Sequence, residues 1–237
     1  MLISYKEFEN LDLPMLQSVV SQRVEEGHYL DYKLNVTRPM GTADKKEFLK
    51  DISGFANAGG GLLIYGCDEP KNQPTWHQQL MGLPNGRDLA EDMERIAATG
   101  LDPRIPGLRF KAIPLSSSTN YCIVVYVPPS SVKPHMVTLD KVNRFHLRHS
   151  ESTNPMTTQE VRTAVLSAYN REEAIEEMRA DVLRGYDISE FNQRCSLVLQ
   201  AIPLTDFKSH GKSMTIHLSK SFVATIVGAV PLMTTLP

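Results

Sequence analysis

The sequence predicts a fold of mixed helix and strand, and three stretches carry that expectation. Asp51 to Glu69 (DISGFANAGGGLLIYGCDE) joins the end of a helical pattern to a short, wholly apolar run across three glycines. Leu30 to Leu34 alternates in polarity at the period of a strand, and Val142 to Arg148 does the same. The first stretch is the centre of the chain. Phe48, Ile52, Phe55 and Ala56 recur at helical spacing and line one face. Asp44 is placed to cap this helix, with Glu47 reaching back to it. Gly59, Gly60 and Gly61 stop it, because glycine takes the positive φ that a chain reversal needs. The run Leu62–Tyr65 reads as a strand buried on both faces. It leads into Gly66, Cys67, Asp68 and Glu69, so two acids stand at the carboxyl end of a buried strand, a usual place for binding sites.

The other elements follow in order. Asp12-Leu13-Pro14 signals a helix start, and Leu16, Val19 and Val20 give it a partial apolar face ending near Gln22. In the strand at Leu30–Leu34, Asp31 and Lys33 share a face. Residues 35–43 read as a loop, as does most of 70–87. Asp88 to Thr99 reads as a helix with Leu89, Met93, Ile96 and Ala97 on one side and Gly100 as its stop. Leu108–Leu115 and Tyr121–Val127 are strands joined by a hairpin loop. Lys133–Val137 is extended. In Val142–Arg148, Val142, Arg144, His146 and Arg148 face one way, so this strand is expected to present two arginines and a histidine on one surface. Residues 149–156 read as a loop. Thr157 and Glu160 form a capping box that opens a long helix to about Gly185. Ser196–Ile202 and Met214–Leu218 read as strands, and the final stretch reads as an incomplete element, as if a further segment belonged to it.

The totals narrow the class. The chain has 237 residues, with 41% hydrophobic and 22% charged, which suits a soluble globular protein with an ordinary core. The net charge of -2 gives no global basic bias, so a nucleic-acid site must be a local patch. Cys67, Cys122 and Cys195 are far apart and form no CxxC pair, which points to a reducing, cytoplasmic setting rather than a disulfide scaffold or zinc site. The acidic, polar start is unlike a secretory leader, and the longest apolar run, near Phe222–Met233, is too short to span a bilayer.

Three acids stand out as candidate ligands: Glu26, Asp31 and one of Asp68 or Glu69. Carboxylates gathered at a strand end suit a hard divalent cation such as Mg²⁺ or Mn²⁺, which polarises phosphate and activates water. Lys33 could hold phosphate oxygens beside them. The plainer reading is a solvated surface pair between Asp31 and Lys33. The glycines at 59–61 could cradle a phosphate, but a turn between helix and strand explains them more simply, and no GxxxxGK[ST] motif exists. Arg144, His146, Arg148 and His149 form the best basic patch, which could contact backbone phosphates or be a plain exposed strand face. Trp76, Tyr29 and Tyr32 could stack on bases or serve as core and loop anchors.

These residues, taken together, resemble a known family. Glu26-Gly-His-Tyr-Leu-Asp31-Tyr-Lys33 is similar to the signature of the Schlafen AlbA_2 domain, and Phe55–Gly61 followed by Ile64–Glu69 is similar to its glycine-turn core. Lys133–Val137, Arg144–Arg148, Asn154-Pro155-Met156 and Glu160-Val161-Arg162 resemble the closing portion of bacterial members. The resemblance implies an α+β fold, a lobe with a mixed β-sheet flanked by helices over residues 1–166, with 167–237 a helical extension and the start of a further α/β segment. It implies nucleic-acid binding, with RNA of the tRNA type favoured over DNA, and Arg38, Lys33, Arg144, His146 and Arg148 as contacts. Some Schlafen relatives are metal-dependent endoribonucleases with a three-carboxylate site. Its first two acids map onto Glu26 and Asp31, where Asp replaces the usual Glu, and the third maps onto Glu69 with Asp68 its neighbour. A stress or phage-defence effector follows from that, loaded with Mg²⁺ or Mn²⁺ and acting in the cytoplasm as a homodimer without membrane attachment. The alternatives are a non-catalytic nucleic-acid-binding regulatory module and an ATP-binding protein without a P-loop.

Overall fold

The computed structural model describes residues 4–21, 26–68, 79–115, 119–141 and 143–184, together with short strands at 199–201 and 214–216. A short helix, α1 (Tyr5–Glu9), opens the chain behind a capping box between Ser4 and Glu7. The S-x-x-E signal of Ser4 and Glu7 stands in the sequence ahead of the first element read from it. Helix α2 (Leu13–Ser21) begins where Asp12 predicts, with Asp12 Oδ1 accepting from the Met15 amide at 3.0 Å.

The main sheet is mixed. Strand β1 (Leu30–Lys33) runs parallel to β2 (Gly61–Tyr65), with Leu30 opposite Leu62 and Lys33 opposite Tyr65. The crossover between them carries α3 (Thr42–Asn57). After β2 come β3 (Cys67–Asp68), β4 (Gln79–Leu80), α4 (Gly86–Gly100) and β5 (Leu101–Asp102). The antiparallel strands β6 (Arg109–Pro114) and β7 (Tyr121–Val127) complete the main sheet in the order β1-β2-β7-β6. A second, antiparallel sheet is built from β5, β8 (Met136–Val137), β9 (Arg144–His149) and β10 (Ser152–Pro155), in the order β10-β9-β8-β5. The α+β class and the mixed sheet are therefore as expected.

Every residue of β2 is buried, and its side chains alternate between two cores. Leu63 and Tyr65 join the core with Phe48, Ile52, Phe55 and Met93, whereas Leu62 and Ile64 join the one with Leu16, Leu30, Tyr32 and Val124. A strand covered on both faces needs apolar side chains at every position, which is why its sequence shows no alternation.

Helix α3 touches β2, β7 and α4, and also β8, β9 and β10 of the second sheet. Residues 51–57 are all buried in consequence. Its start differs from expectation: Gly41 is the N-cap without a side-chain bond, and Asp44 sits in the first turn, accepting from Thr37 Oγ1 at 3.1 Å. Its end follows the glycines. Gly60 has φ +78, and a Cβ there would lie 2.6 Å from the Val127 carbonyl oxygen and 2.7 Å from the Pro129 nitrogen, so the turn admits no side chain.

Two further expectations are corrected. Residues 152–155 form β10 rather than loop, reversing at Ser150, whose φ is +49. The period expected for β9 is right but its orientation is reversed. His146 and Arg148 face inward at 8% and 2% exposure, because the second sheet lays that face on α3. Val142 lies outside the described residues, and Arg144 alone of the expected basic face is exposed.

Helix α5 (Thr158–Arg184) opens with the expected capping box, Thr157 amide to Glu160 Oε2 at 2.7 Å and Glu160 amide to Thr157 Oγ1 at 3.3 Å. Strands β11 (Leu199–Ala201) and β12 (Met214–Ile216) pair antiparallel. The chain divides into two units, Met1–Val165 and Leu166–Pro237. No helix among the described residues is long and apolar enough to cross a membrane.

Candidate functional site

Three elements bring their charged side chains together. Strand β1 offers Asp31 and Lys33 from one face, as its period requires. Helix α3 offers Glu47, Lys50 and Asp51, and β9 offers Arg148. They form a series of alternating sign. Arg148 Nη2 lies 3.1 Å from Asp31 Oδ1, and Lys33 Nζ lies 2.8 Å from Asp31 Oδ2. Lys33 Nζ is also 3.4 Å from Asp51 Oδ2, and Lys50 Nζ is 3.9 Å from Asp51 Oδ1 and 2.6 Å from Glu47 Oε1. The series runs from a buried arginine towards half-exposed lysines. Both aspartates are almost wholly buried, at 3% and 2% exposure. The Lys33 contacts are ion pairs without well-directed hydrogen bonds, for neither Asp31 Oδ2 nor Asp51 Oδ2 has a donor of good geometry.

Burial pushes the Asp51 carboxyl up to about 6; Lys33 opposes that shift and Asp31 adds to it. Burial alone would lower the Lys33 ammonium, but the charges of Asp51 and Asp31 overcome it and raise its pKa. His146 is held below its ordinary value by burial and then by the nearby charges of Lys50 and Arg144. Lys33 and Lys50, both half-exposed, stand on either side of the Asp51 carboxyl, and Arg144 is exposed two residues before His146 on β9.

Arg148 is a clamp between the two sheets. Its Nε and Nη2 donate to the Gly27 carbonyl at 3.1 and 3.0 Å, and Nη2 also reaches the Leu30 carbonyl at 3.3 Å. Nε further donates to the Ser150 carbonyl at 3.1 Å, and the guanidinium lies 4.7 Å from the Phe55 ring centroid. The expectation that Arg148 and His146 contact phosphate from an exposed strand is corrected on this ground: Arg148 spends its donors inside the protein, and His146 is packed away.

The remaining candidates are dispersed in role. Glu26 Oε1 accepts from the Tyr32 amide at 2.8 Å, satisfying a backbone donor on the edge strand of the main sheet. Arg38 pairs with Asp92 at 2.7 Å and Asp88 at 3.0 Å, joining the loop before α3 to α4. The backbone of Asp68 pairs with Gln79 in β3–β4, and Glu69 lies outside the described residues. Among the described residues no group of three acidic, histidine or cysteine side chains is placed to hold a metal ion. Asp31 does not fit a hard divalent cation as arranged, since Lys33 and Arg148 already stand against its two oxygens with like charge to the metal.

Two polar residues escaped the sequence reading. Asp51 sits beside Ile52 on the buried flank of α3; a lone acid next to a core position was its only signal. Asn57 Nδ2 donates to the carbonyls of His135 and His146 at 3.0 and 2.8 Å, and its Oδ1 accepts from the His135 amide at 2.7 Å. It thereby ties the end of α3 to β9 and the segment entering β8.

An α+β lobe in which β1, a buried helix and a second sheet are locked by charge is the domain that the motifs implied. The chain belongs to the Schlafen AlbA_2 family, whose profile matches residues 26–157, more than half of its length. The family associates it with nucleic acids. No curated protein matches the chain. Among solved structures it is similar to the N-terminal domain of a RecG-related protein from Nitrosomonas europaea, at 20% identity and a TM-score of 0.43, covering 60% of this chain and 90% of that one. It is also similar to the DIP2311 protein from Corynebacterium diphtheriae, at 15% identity and a TM-score of 0.40, covering 64% of this chain and 27% of that one. At that closeness neither bears on function.

Proposed function

We propose that this chain is a nucleic-acid-binding module that takes RNA in preference to DNA, and that the carboxylates it shares with nuclease relatives serve its fold. The family match over residues 26–157 carries the nucleic-acid reading. What supports the non-catalytic form of it is the engagement of Asp31 by Arg148 and Lys33 at 3.1 and 2.8 Å. Lys33, Lys50 and the exposed Arg144 make the proposed phosphate contact, in which cations position a backbone without reading sequence. RNA is favoured because relatives in the family act on tRNA and rRNA. The module acts in the cytoplasm as a homodimer, a two-fold pair supplying the second lobe that such relatives carry in one chain.

The test is binding of total tRNA by fluorescence anisotropy across a salt series, with gel analysis of the RNA with and without Mn²⁺ or Mg²⁺. The expected result is intact RNA and affinity that falls with salt. Arg144→Ala should lower the slope of log K against log salt by about 0.7–0.9, the loss of one phosphate contact. Cleavage that needs Mn²⁺ and disappears in Glu26→Gln would instead establish the metal-dependent endoribonuclease. Light scattering checks the dimer.

A further inference from the structure

We infer that His28 and Tyr29 form a ledge on which an unpaired nucleobase stacks, an inference that rests on the nucleic-acid reading above. Both residues are exposed, Tyr29 at 38%, although they lie between the buried network and the glycine turn. Their rings meet edge to face, with centroids 4.7 Å apart and planes at 88°. They rest on the turn between α3 and β2: a Cβ at Gly59 would be 3.2 Å from Tyr29 Cε1 and 3.8 Å from His28 Nε2. A glycine at 59 thus leaves room for the rings.

The backbone beneath them is fixed from three sides. The Gly27 amide donates to the Leu30 carbonyl at 2.9 Å, the Leu62 amide donates to the Tyr29 carbonyl at 2.9 Å, and Arg148 holds the Gly27 carbonyl at 3.0 Å. A mobile loop would bury an aromatic pair or leave it disordered at a cost in entropy on binding. Here a buried arginine and the sheet fix the turn while its rings stay in solvent, so little conformational freedom is left to lose. A nucleobase matches such a ledge, since it presents a π face with a polar rim to a ring pair of the same character. Lys133, whose Nζ lies 3.5 Å from the Asn57 carbonyl at the end of α3, places a cation on the same turn region for the adjoining phosphate. Duplex ends aside, a paired base offers no free face, so the ledge selects single strands.

The experiment measures affinity of the full chain for a fluorescein-labelled single-stranded oligo(U) 12-mer and for a blunt 12-base-pair RNA duplex. A single-stranded oligo(dT) 12-mer serves as a third arm. Tyr29→Ala should weaken single-strand binding by roughly 5- to 150-fold, as expected for one lost stacked base, and leave duplex binding within about 2-fold. Tyr29→Trp should retain single-strand affinity and report contact by quenching of its fluorescence. Equal binding by wild type and Tyr29→Ala would overturn the ledge while leaving the nucleic-acid function standing, and so would an equal loss on single strand and duplex. Wild-type protein that binds none of the three probes would overturn both.

Discussion

Replacing Asp51 by Asn should stabilise the lobe at pH 8 relative to pH 5, although it removes half of an ion pair. Asp51 is 2% exposed, and its carboxyl titrates at about 6 in the fold against an ordinary 3.8. Between those two values the folded chain holds a proton that the unfolded chain has lost. The stabilisation from that proton is complete below the unfolded value and disappears as pH rises through the folded one. Ionising Asp51 therefore costs about 3 kcal/mol in all, of which about 1.4 kcal/mol falls between pH 5 and pH 8. Asparagine is neutral throughout. The stability of Asp51→Asn minus that of wild type should accordingly rise by about 1.4 kcal/mol between pH 5 and pH 8. His135 and His146, both held below their ordinary value chiefly by burial, give stability the opposite slope, since the unfolded chain takes up their protons first. That slope is common to both proteins and cancels in the difference. Urea unfolding followed by circular dichroism at the two pH values measures it. A pH-independent difference, or a variant that loses ground at pH 8, would show that Lys33 holds Asp51 ionised at a profit to the fold and would refute the reasoning.

Two other substitutions test the frame. Arg148→Met should cost about 3–5 kcal/mol, because it takes the donor from Oδ1 of the buried Asp31, leaving that carboxylate to Lys33 alone, and from the Gly27 carbonyl as well; Arg148→Lys should rescue little, since one ammonium cannot span four acceptors, and a loss under about 1 kcal/mol in chemical denaturation would count against the clamp. Gly60→Ala should cost at least about 2 kcal/mol, from its positive φ and from backbone atoms on which the new methyl would press; an unchanged thermal midpoint would contradict the turn geometry.

The fold was legible wherever local chemistry settles it. The box at Thr157 and Glu160 and the Asp12 start of α2 specify structure through contacts three residues away, and the run Leu62–Tyr65 and the glycines after α3 show in their composition the burial and the turn that more distant strands complete. The site was legible only in part. The alternation of Asp31 and Lys33 correctly placed them together, and their ion pair formed. What no local pattern could reveal was the second sheet folding over α3. That packing turned His146 and Arg148 inward, where polarity suggested solvent, and buried Asp51. In β9 the half-exposed Phe145 and Leu147 and the buried Arg148 invert the usual guide, because the arginine's partners come from β1, more than a hundred residues earlier in sequence. Residue 10 to 152 tell the same story in miniature: Asn10 caps a helix from next door, whereas β10 needs β9 to exist.

The enclosure of α3 gives the lobe an internal gauge. Amide protons in its last two turns are covered by elements of both sheets, so they meet solvent only when at least one of those layers lifts from the helix. Deuterium uptake at residues 52–57 would then track the free energy of parting a sheet from this helix, and a ligand that holds the layers together would slow it.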